Sequence, residues 1–159
     1  MKKKFILFCT TICMILGLNN KALSQGNSFY VELFGNGLIF SANYDMRFTQ
    51  SNVGLGGRVG LGYVGGVNSS VLTIPVMANY LLGKDGKYFE VGGGLTFVSA
   101  NVDFIGDNDS ASAVWGTLSF MYRYQPIDGG FMWKIGITPL IADGVFFPYW
   151  FGLGLGYCW

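Results

Sequence analysis

The last nine residues read Phe151-Gly-Leu153-Gly-Leu155-Gly-Tyr157-Cys-Trp159, and every second residue of this stretch is large and apolar. The residues between them are three glycines and one cysteine. Side chains of a β-strand point alternately to opposite faces, so the stretch predicts a strand with one bulky apolar face and one nearly bare face. The bulky face requires apolar surroundings.

The same period of two continues through the chain upstream of this segment. Apolar residues alternate with small or polar ones, and breaks rich in glycine, asparagine and aspartate separate the runs. Most runs reach the roughly 9–11 residues that a strand needs to cross a bilayer. The pattern predicts eight strands, near residues 28–35, 37–48, 53–64, 71–82, 88–99, 112–124, 131–140 and 148–159.

The first residues follow a different pattern. Three lysines precede an apolar run over residues 5–18, and Ala22 and Ser24 occupy the small-residue positions of a cleavage site. This order is typical of a secretory signal peptide, and the run is shorter than the roughly 20 residues of a membrane-spanning helix. We therefore predict a signal peptide over residues 1–24 and one domain over residues 25–159.

Removal of that leader changes the charge balance. Four of the ten basic residues fall within it and none of the nine acids, which leaves six bases against nine acids and a net charge of −3. An acidic chain speaks against a nucleic-acid partner, because such proteins present a basic surface. The charges that remain are also few for a soluble domain, in which about a quarter of the residues are charged.

Lipid as the surrounding solvent explains both the few charges and the bulky faces. Aromatic residues concentrate near the strand ends, as they do at membrane–water interfaces. We therefore predict an all-β, eight-stranded antiparallel up-and-down barrel in the bacterial outer membrane, with membrane lipids as its partners. The outward set is Leu38, Phe40, Tyr44, Phe48, Leu55, Val59, Leu61, Tyr63, Leu72, Ile74, Val76, Tyr80, Phe89, Val91, Leu95, Phe97, Leu118, Phe120, Tyr122, Tyr124, Phe131, Trp133, Ile135 and Ile137.

The connections between the predicted strands alternate in length. With an even strand count and both termini in the periplasm, short turns face the periplasm and longer loops face outward. Pro75 lies within the fourth run and predicts a bulge or register break, because proline cannot donate to the strand ladder. The predicted periplasmic turns are residues 49–52, 83–87 and 125–130, and the predicted outer loops are a very short one at 35–37 and longer ones at 65–70, 100–111 and 141–147.

Beyond the leader, the chain resembles the small OmpA/OmpX-type outer-membrane barrels of Gram-negative bacteria. The most specific part of this resemblance is the last strand, in which Gly154, Tyr157 and the terminal Trp159 match the assembly signal of such proteins. Gly152 replaces the polar residue with which that signal usually begins. The resemblance implies insertion by the outer-membrane assembly machinery, which would then be a partner of this chain.

The alternation that sends apolar residues outward sends seven charged residues inward. Three acids and four bases would share a narrow lumen, and because breaking a buried pair costs roughly 3–5 kcal/mol, they must pair. One hypothesis is a salt-bridged plug that blocks or gates a pore. The simpler interpretation, favoured because buried ion pairs are more often structural, is a static network that holds the barrel together. The seven residues are Glu32, Asp45, Arg47, Arg58, Glu90, Arg123 and Lys134, with Glu90 almost opposite Arg123.

Glycines dominate the same inner face and bear on the width of the lumen. An eight-stranded barrel has an interior just wide enough to be filled by side chains, so we expect no diffusion pore of porin width. Inward positions are predicted for Gly54, Gly56, Gly60, Gly62, Gly92, Gly94, Gly152, Gly154 and Gly156.

The chain contains no histidine. Barrel enzymes that act on lipids through Ser/His or Asp/His arrangements need imidazole as the general base, so no such enzyme is predicted. Cys158 has no catalytic partner and is expected to pack near the barrel rim. Asp103, Asp107 and Asp109 fall in one predicted loop, where a solvated acidic loop is favoured over a calcium site. We therefore expect no catalytic residue, no cofactor and no bound metal.

Three functions fit this pattern to different degrees. The best supported is a non-enzymatic outer-membrane barrel with a structural role, or a surface-interaction role in which the outer loops bind an extracellular ligand or surface partner. The first alternative is a low-conductance channel for ions or small solutes, gated by the interior charges. The second is a soluble lipocalin-like barrel that binds a hydrophobic ligand, disfavoured because an eight-stranded lumen cannot hold so many large apolar side chains.

Overall fold

The alternating runs form the strands of one antiparallel sheet in a computed structural model of the protein. It describes residues 26–49, 51–66, 69–104, 107–142 and 144–159, and of these only the backbone for residues 101–104 and 107–110. The predicted signal peptide lies outside the described residues. The described elements are β1 Ser28–Phe34, a 3₁₀ turn Gly35–Gly37, β2 Phe40–Arg47, β3 Gly54–Gly65, β4 Ser69–Lys84, β5 Lys87–Phe104, β6 Asp107–Tyr124, β7 Gly130–Ile137, β8 Leu140–Ala142, β9 Val145–Phe147 and β10 Phe151–Cys158.

Eight of these strands close a ring. Each strand from β1 to β7 is antiparallel to the next, β10 pairs with β7, and the pairing of β10 with β1 closes the barrel. The closing ladder aligns Ser28 with Cys158. The predicted eight-stranded antiparallel barrel is therefore confirmed. We call the end that holds these two residues the base, and the opposite end the mouth.

The two remaining strands, β8 and β9, extend the hairpin of β7 and β10 towards the mouth. β8 pairs with β6 in the same register as β7 does, so β7 and β8 form one interrupted strand. Pro139 and Pro148 lie at the interruptions, because proline has no N–H to donate to the ladder. The predicted strands 131–140 and 148–159 are thus longer and broken. The prediction of an outer loop over 141–147 is wrong, since short strands occupy most of it.

β5 and β6 are the longest strands, with 18 residues each. Their ladder keeps one register from Lys87–Tyr124 at the base to Phe104–Asp107 at the tip. The prediction of a long outer loop over 100–111 is therefore wrong for the described residues, because 100–104 and 107–111 continue the ladder of β5 and β6. Residues 107–111 in the sequence are all polar or small, so this part of β6 lacks the apolar alternation on which the strand prediction depended.

Pro75 lies in β4 without displacing it. The β3–β4 ladder has a gap between the pairs Val59–Val76 and Gly62–Thr73, but the register is the same on both sides of the gap. The expected bulge or register break is therefore absent. Losing one N–H removes hydrogen bonds from the ladder without adding a residue to either strand.

The tightest connection at the base joins β4 to β5 through Asp85 and Gly86 alone. Both residues have positive φ, 56° and 78°, as the type I′ turn of a two-residue hairpin requires. Glycine adopts this conformation without a steric penalty, and aspartate tolerates it better than most residues. The predicted connection over 83–87 is therefore right in place but longer than the turn itself.

The two faces of the barrel wall have opposite chemistry. Apolar side chains cover the outside, where Phe48, Tyr63 and Phe131 remain 59–61% exposed. Aromatic pairs lie near both ends of the wall, with ring centroids 5.3 Å apart for Tyr122 and Trp133. The inner face is mostly polar or charged and buried. Within the described ranges, no helix is long and apolar enough to cross a membrane.

Candidate functional site

Seven charged side chains meet inside the half of the barrel nearer the base. They come from six strands, and each is at most 2% exposed to solvent. Their strand positions all have the inward parity of the pleat, which is why the chain brings them together. We call them the charged layer: Glu32 on β1, Asp45 and Arg47 on β2, Arg58 on β3, Glu90 on β5, Arg123 on β6 and Lys134 on β7.

The first half of the charged layer crosses the lumen from β2 to β6. The Arg47 guanidinium pairs with Asp45 on its own strand. The other carboxylate oxygen of Asp45 lies 3.3 Å from Arg123 Nη1, and the same nitrogen lies 3.0 Å from Glu90 Oε2. Since β2 and β6 are four strands apart in a ring of eight, the contact between Asp45 and Arg123 joins opposite walls.

The second half of the charged layer runs from Glu90 through Lys134 and Glu32 to Arg58. Lys134 Nζ lies 2.9 Å from Glu90 Oε1 and 3.9 Å from Glu32 Oε1. Arg58 Nη2 then lies 2.5 Å from Glu32 Oε2. The seven side chains therefore form one continuous chain of alternating sign. Bases stand at both of its ends, so it carries one more positive than negative charge.

Polar side chains that sequence reasoning did not name complete this arrangement. Asn79 of β4 donates to Asp45 at 2.5 Å, and Ser28 accepts a hydrogen bond from Arg123 at 2.8 Å. Asn43 accepts a hydrogen bond from Arg58 Nε at 3.2 Å. These residues share the inward parity of the charged ones, so the period of two was the signal that could have identified them.

Tyr30 is the aromatic member of the interior and was also missed. Its ring is fully buried, with Lys134 Nζ 4.4 Å and Arg58 Cζ 5.6 Å from its centroid. Cations at this distance are attracted by the negative face of the ring. Tyr30 thus contacts both cations that pair with Glu32, and it packs with Met132 and Cys158.

Glycine on the facing strand makes room for these long side chains. A Cβ at Gly154 would lie 2.9 Å from Lys134 Cγ and 3.2 Å from Tyr30 Cδ2. A Cβ at Gly60 would lie 2.9 Å from Pro75 Cγ and would collide with Asn43. The inward glycines therefore hold space that large side chains fill, and they leave no open channel at this level.

A second feature closes the barrel nearer the mouth. The 3₁₀ turn between β1 and β2 folds into the lumen, and Gly35, Asn36 and Gly37 are all buried. Hydroxyl and indole groups donate to its carbonyls: Thr96 Oγ1 to Asn36 at 2.8 Å, Thr73 Oγ1 to Gly37 at 3.0 Å and Trp150 Nε1 to Gly35 at 2.9 Å. The flanking Phe34 and Leu38 have positive φ, 57° and 73°. The sequence predicted a very short connection here but not its inward course.

The residues predicted to form an assembly signal lie on both faces of β10. Gly154 faces inward, whereas Tyr157 and Trp159 are exposed on the outside at the base. The ring of Trp159 lies 6.2 Å from that of Tyr44. Recognition by an assembly machinery stays a prediction.

Other candidate chemistry is sparse among the described residues. Cys158 is a buried free thiol whose Sγ lies 3.4 Å from the carbonyl oxygen of Gly130. In the part of the chain that the structure describes, no group of His, Cys, Asp and Glu side chains is arranged to hold a metal ion. The side chains of Asp103, Asp107 and Asp109 lie outside that part.

Comparison with known proteins places the fold. No protein-family model matches the chain, and no curated protein matches its sequence. Among solved structures, the N-terminal β-barrel domain of Pseudomonas aeruginosa OprF superposes with a TM-score of 0.61 at 15% identity, covering 84% of this chain and 98% of that domain. At this identity the likeness concerns the fold, and it confirms the predicted resemblance at that level. The chain therefore has the eight-stranded antiparallel barrel fold of the OprF N-terminal domain.

Proposed function

We propose that this chain is a non-enzymatic, integral β-barrel protein of the outer membrane, with a structural or surface-interaction role. The observation that carries the proposal is an apolar outer wall around a buried layer of paired charges. Monomeric soluble proteins rarely expose continuous apolar patches of more than a few hundred Å². Lipid acyl chains would cover such a wall at no cost, and the charged layer inside needs no solvent because its members pair with one another.

The β5–β6 hairpin supports the surface-interaction role. Each of its strands has 18 residues, whereas crossing a bilayer takes roughly 9–11. The excess length continues as a regular ladder to Phe104 and Asp107. A hairpin of this kind would present backbone and side chains well outside the membrane, where an extracellular ligand or surface partner would bind.

The state of the ionisable groups supports a non-enzymatic role. A general acid or base must reach the substrate directly or through one water molecule. Every member of the charged layer is at most 2% exposed and engaged in an ion pair, so none is available for that task.

The burial of the charged layer also disfavours the channel alternative. Solvent does not reach the charged layer, and the inward 3₁₀ turn covers it from the mouth side. Conduction would require the ion pairs of the charged layer to separate and the 3₁₀ turn to leave the lumen. The lipocalin-like alternative requires apolar rings inside the barrel, whereas rings such as Phe131 lie outside.

Reconstitution of residues 25–159, the predicted mature chain, tests the proposal. We expect insertion into preformed phosphatidylcholine vesicles, a migration on gels that changes on heating, and no steady conductance in planar bilayers. A monodisperse, folded protein in buffer without detergent would contradict membrane insertion. Steady single-channel currents would instead favour the channel, and currents that appear only after Arg123→Ala would favour a gate.

A further inference from the structure

The interior of the barrel changes chemistry at the inward 3₁₀ turn. On the base side of the turn it holds the charged layer, and on the mouth side it is apolar. The inward positions there are Val64 on β3, Val71 on β4, Trp115 on β6, Leu140 on β8, Phe147 on β9 and Trp150 before β10.

These side chains enclose a cavity of about 350 Å³, which we call the mouth cavity. The turn residues 37–39 form one side of it, and Thr73 lies beside them. Register assigns the walls to the lumen: Phe147 pairs directly with the buried Leu140, so both side chains point to the same face. The mouth cavity therefore lies at the rim of the barrel lumen, where the outward residue Tyr63 also contributes to its lining.

Lipid does not explain an apolar lining in this place. Acyl chains contact the outside of the wall, while the mouth opens to the aqueous side in the proposed orientation. Phe147 nevertheless remains 51% exposed. Apolar surface left in water costs about 25 cal/mol per Å², so such a lining favours any molecule that covers it.

The chemistry of the lining defines the ligand class. Among the described residues that line the cavity, none is Asp, Glu, Lys or Arg, which disfavours a charged ligand. The Trp115 Nε1–H is buried and has no acceptor among the described residues, so a ligand oxygen would find one donor there. The volume lies near the lower end of the roughly 300–1,000 Å³ of small-molecule sites.

We propose that the mouth cavity binds a small, neutral, apolar molecule, aromatic or aliphatic, that carries few hydrogen-bond acceptors. The inference rests on the proposed membrane position, because that position makes the mouth aqueous. It adds a ligand class to the surface-interaction role and places the site inside the barrel mouth, away from the tip of the β5–β6 hairpin.

Photo-crosslinking with benzophenone tests the site. Benzophenone is neutral and apolar, has one carbonyl acceptor, and inserts into neighbouring C–H bonds when irradiated. The protein is used in vesicles, and crosslinks are mapped by mass spectrometry over a concentration series. We expect saturable crosslinking to residues 37–39 and to Leu140, Phe147 and Trp150. Outward residues, which sample probe dissolved in the lipid, should show linear, unsaturated crosslinking.

Two substitutions on β3 distinguish crosslinking in the mouth cavity from crosslinking by probe dissolved in the lipid. Val64→Trp fills the mouth cavity and should reduce its crosslinking at least tenfold, whereas Val59→Trp on the outer face of β3 should change it less than twofold. If Val64→Trp does not fold, Val71→Phe fills the cavity from β4. Saturable labelling that persists unchanged in a folded, cavity-filled variant would overturn the proposal, as would labelling of outward residues alone. Failure to label outward residues would instead contradict the membrane position.

Discussion

At the scale of single residues, Glu90 is the acid on which two cations depend. Arg123 and Lys134 lie directly opposite each other on β6 and β7, where like charges destabilise a sheet. Glu90 accepts a hydrogen bond from Arg123 at 3.0 Å and another from Lys134 at 2.9 Å. One carboxylate thus compensates a cation pair that the strand register forces together.

Replacing Glu90 with glutamine should therefore destabilise the barrel strongly. The substitution keeps the shape but leaves two buried cations short of a counter-charge, which costs about 3–5 kcal/mol. Urea unfolding of the reconstituted protein measures the loss. Asp128→Asn removes an exposed acid at the base and should change the free energy of unfolding by less than about 0.5 kcal/mol. Equal stability of the two variants would mean that the charged layer contributes little to the fold.

A substitution at Gly154 can distinguish a role in packing from a role in recognition by the assembly machinery. A methyl group there would press on Lys134 and Tyr30, and overpacking of this kind costs about 1–3 kcal/mol. We expect Gly154→Ala to fold less stably in pure lipid, where no assembly machinery is present. The control is Gly93→Ala, whose methyl would meet its nearest atom, on Leu118, at 3.4 Å and should be tolerated. Unchanged stability of Gly154→Ala in pure lipid, with defective assembly in cells, would assign Gly154 to the signal alone.

At the scale of elements, the inward 3₁₀ turn is held by side chains from distant strands. Its carbonyls accept hydrogen bonds from Thr73 and Thr96, and each bond contributes about 1 kcal/mol. Removing both hydrogen bonds costs about 2 kcal/mol, and 1.4 kcal/mol is a factor of ten. The population of the open turn should therefore rise about 30-fold.

Thiol labelling measures this opening. In a Cys158→Ser background, a cysteine at the buried position 36 should react slowly with a water-soluble maleimide, and Thr73→Val with Thr96→Val should accelerate the reaction at least tenfold. A cysteine at position 39 replaces the exposed Ile39 and should react fast in both backgrounds. Fast labelling of position 36 before the threonines are changed would show that the turn does not close the lumen.

The strands could be predicted from sequence because each buries one face and exposes the other. That condition makes large apolar residues alternate with small or polar ones, as Leu153 and Gly154 do. The same alternation assigns the charged residues to the lumen. It fails where the sequence is polar or small throughout, as over residues 107–111 of β6, and where proline interrupts a strand, as at Pro139. The inward course of the turn at Asn36 depends on Thr73, Thr96 and Trp150, which are remote in sequence, so no local pattern indicates it.

At the scale of the whole molecule, the barrel reverses the arrangement of a soluble protein. Ion pairs and amides occupy the centre, and aromatic and aliphatic side chains cover the surface. The interior is itself divided, with the charged layer towards the base and the mouth cavity above the 3₁₀ turn. This division explains how one narrow lumen can be closed at one level and still offer a concave apolar site at another.

The orientation of the wall is the claim on which the account depends, and spin labelling along β4 measures it most directly. Labels are placed singly at positions 74–82 of the reconstituted protein, and their collisions with oxygen and with a water-soluble nickel complex are compared. We predict that oxygen accessibility oscillates with a period of two, with maxima at Ile74, Val76, Ala78, Tyr80 and Leu82, while the nickel complex reaches none of these. Maxima at the intervening positions, or free access of nickel to the outward ones, would contradict the account.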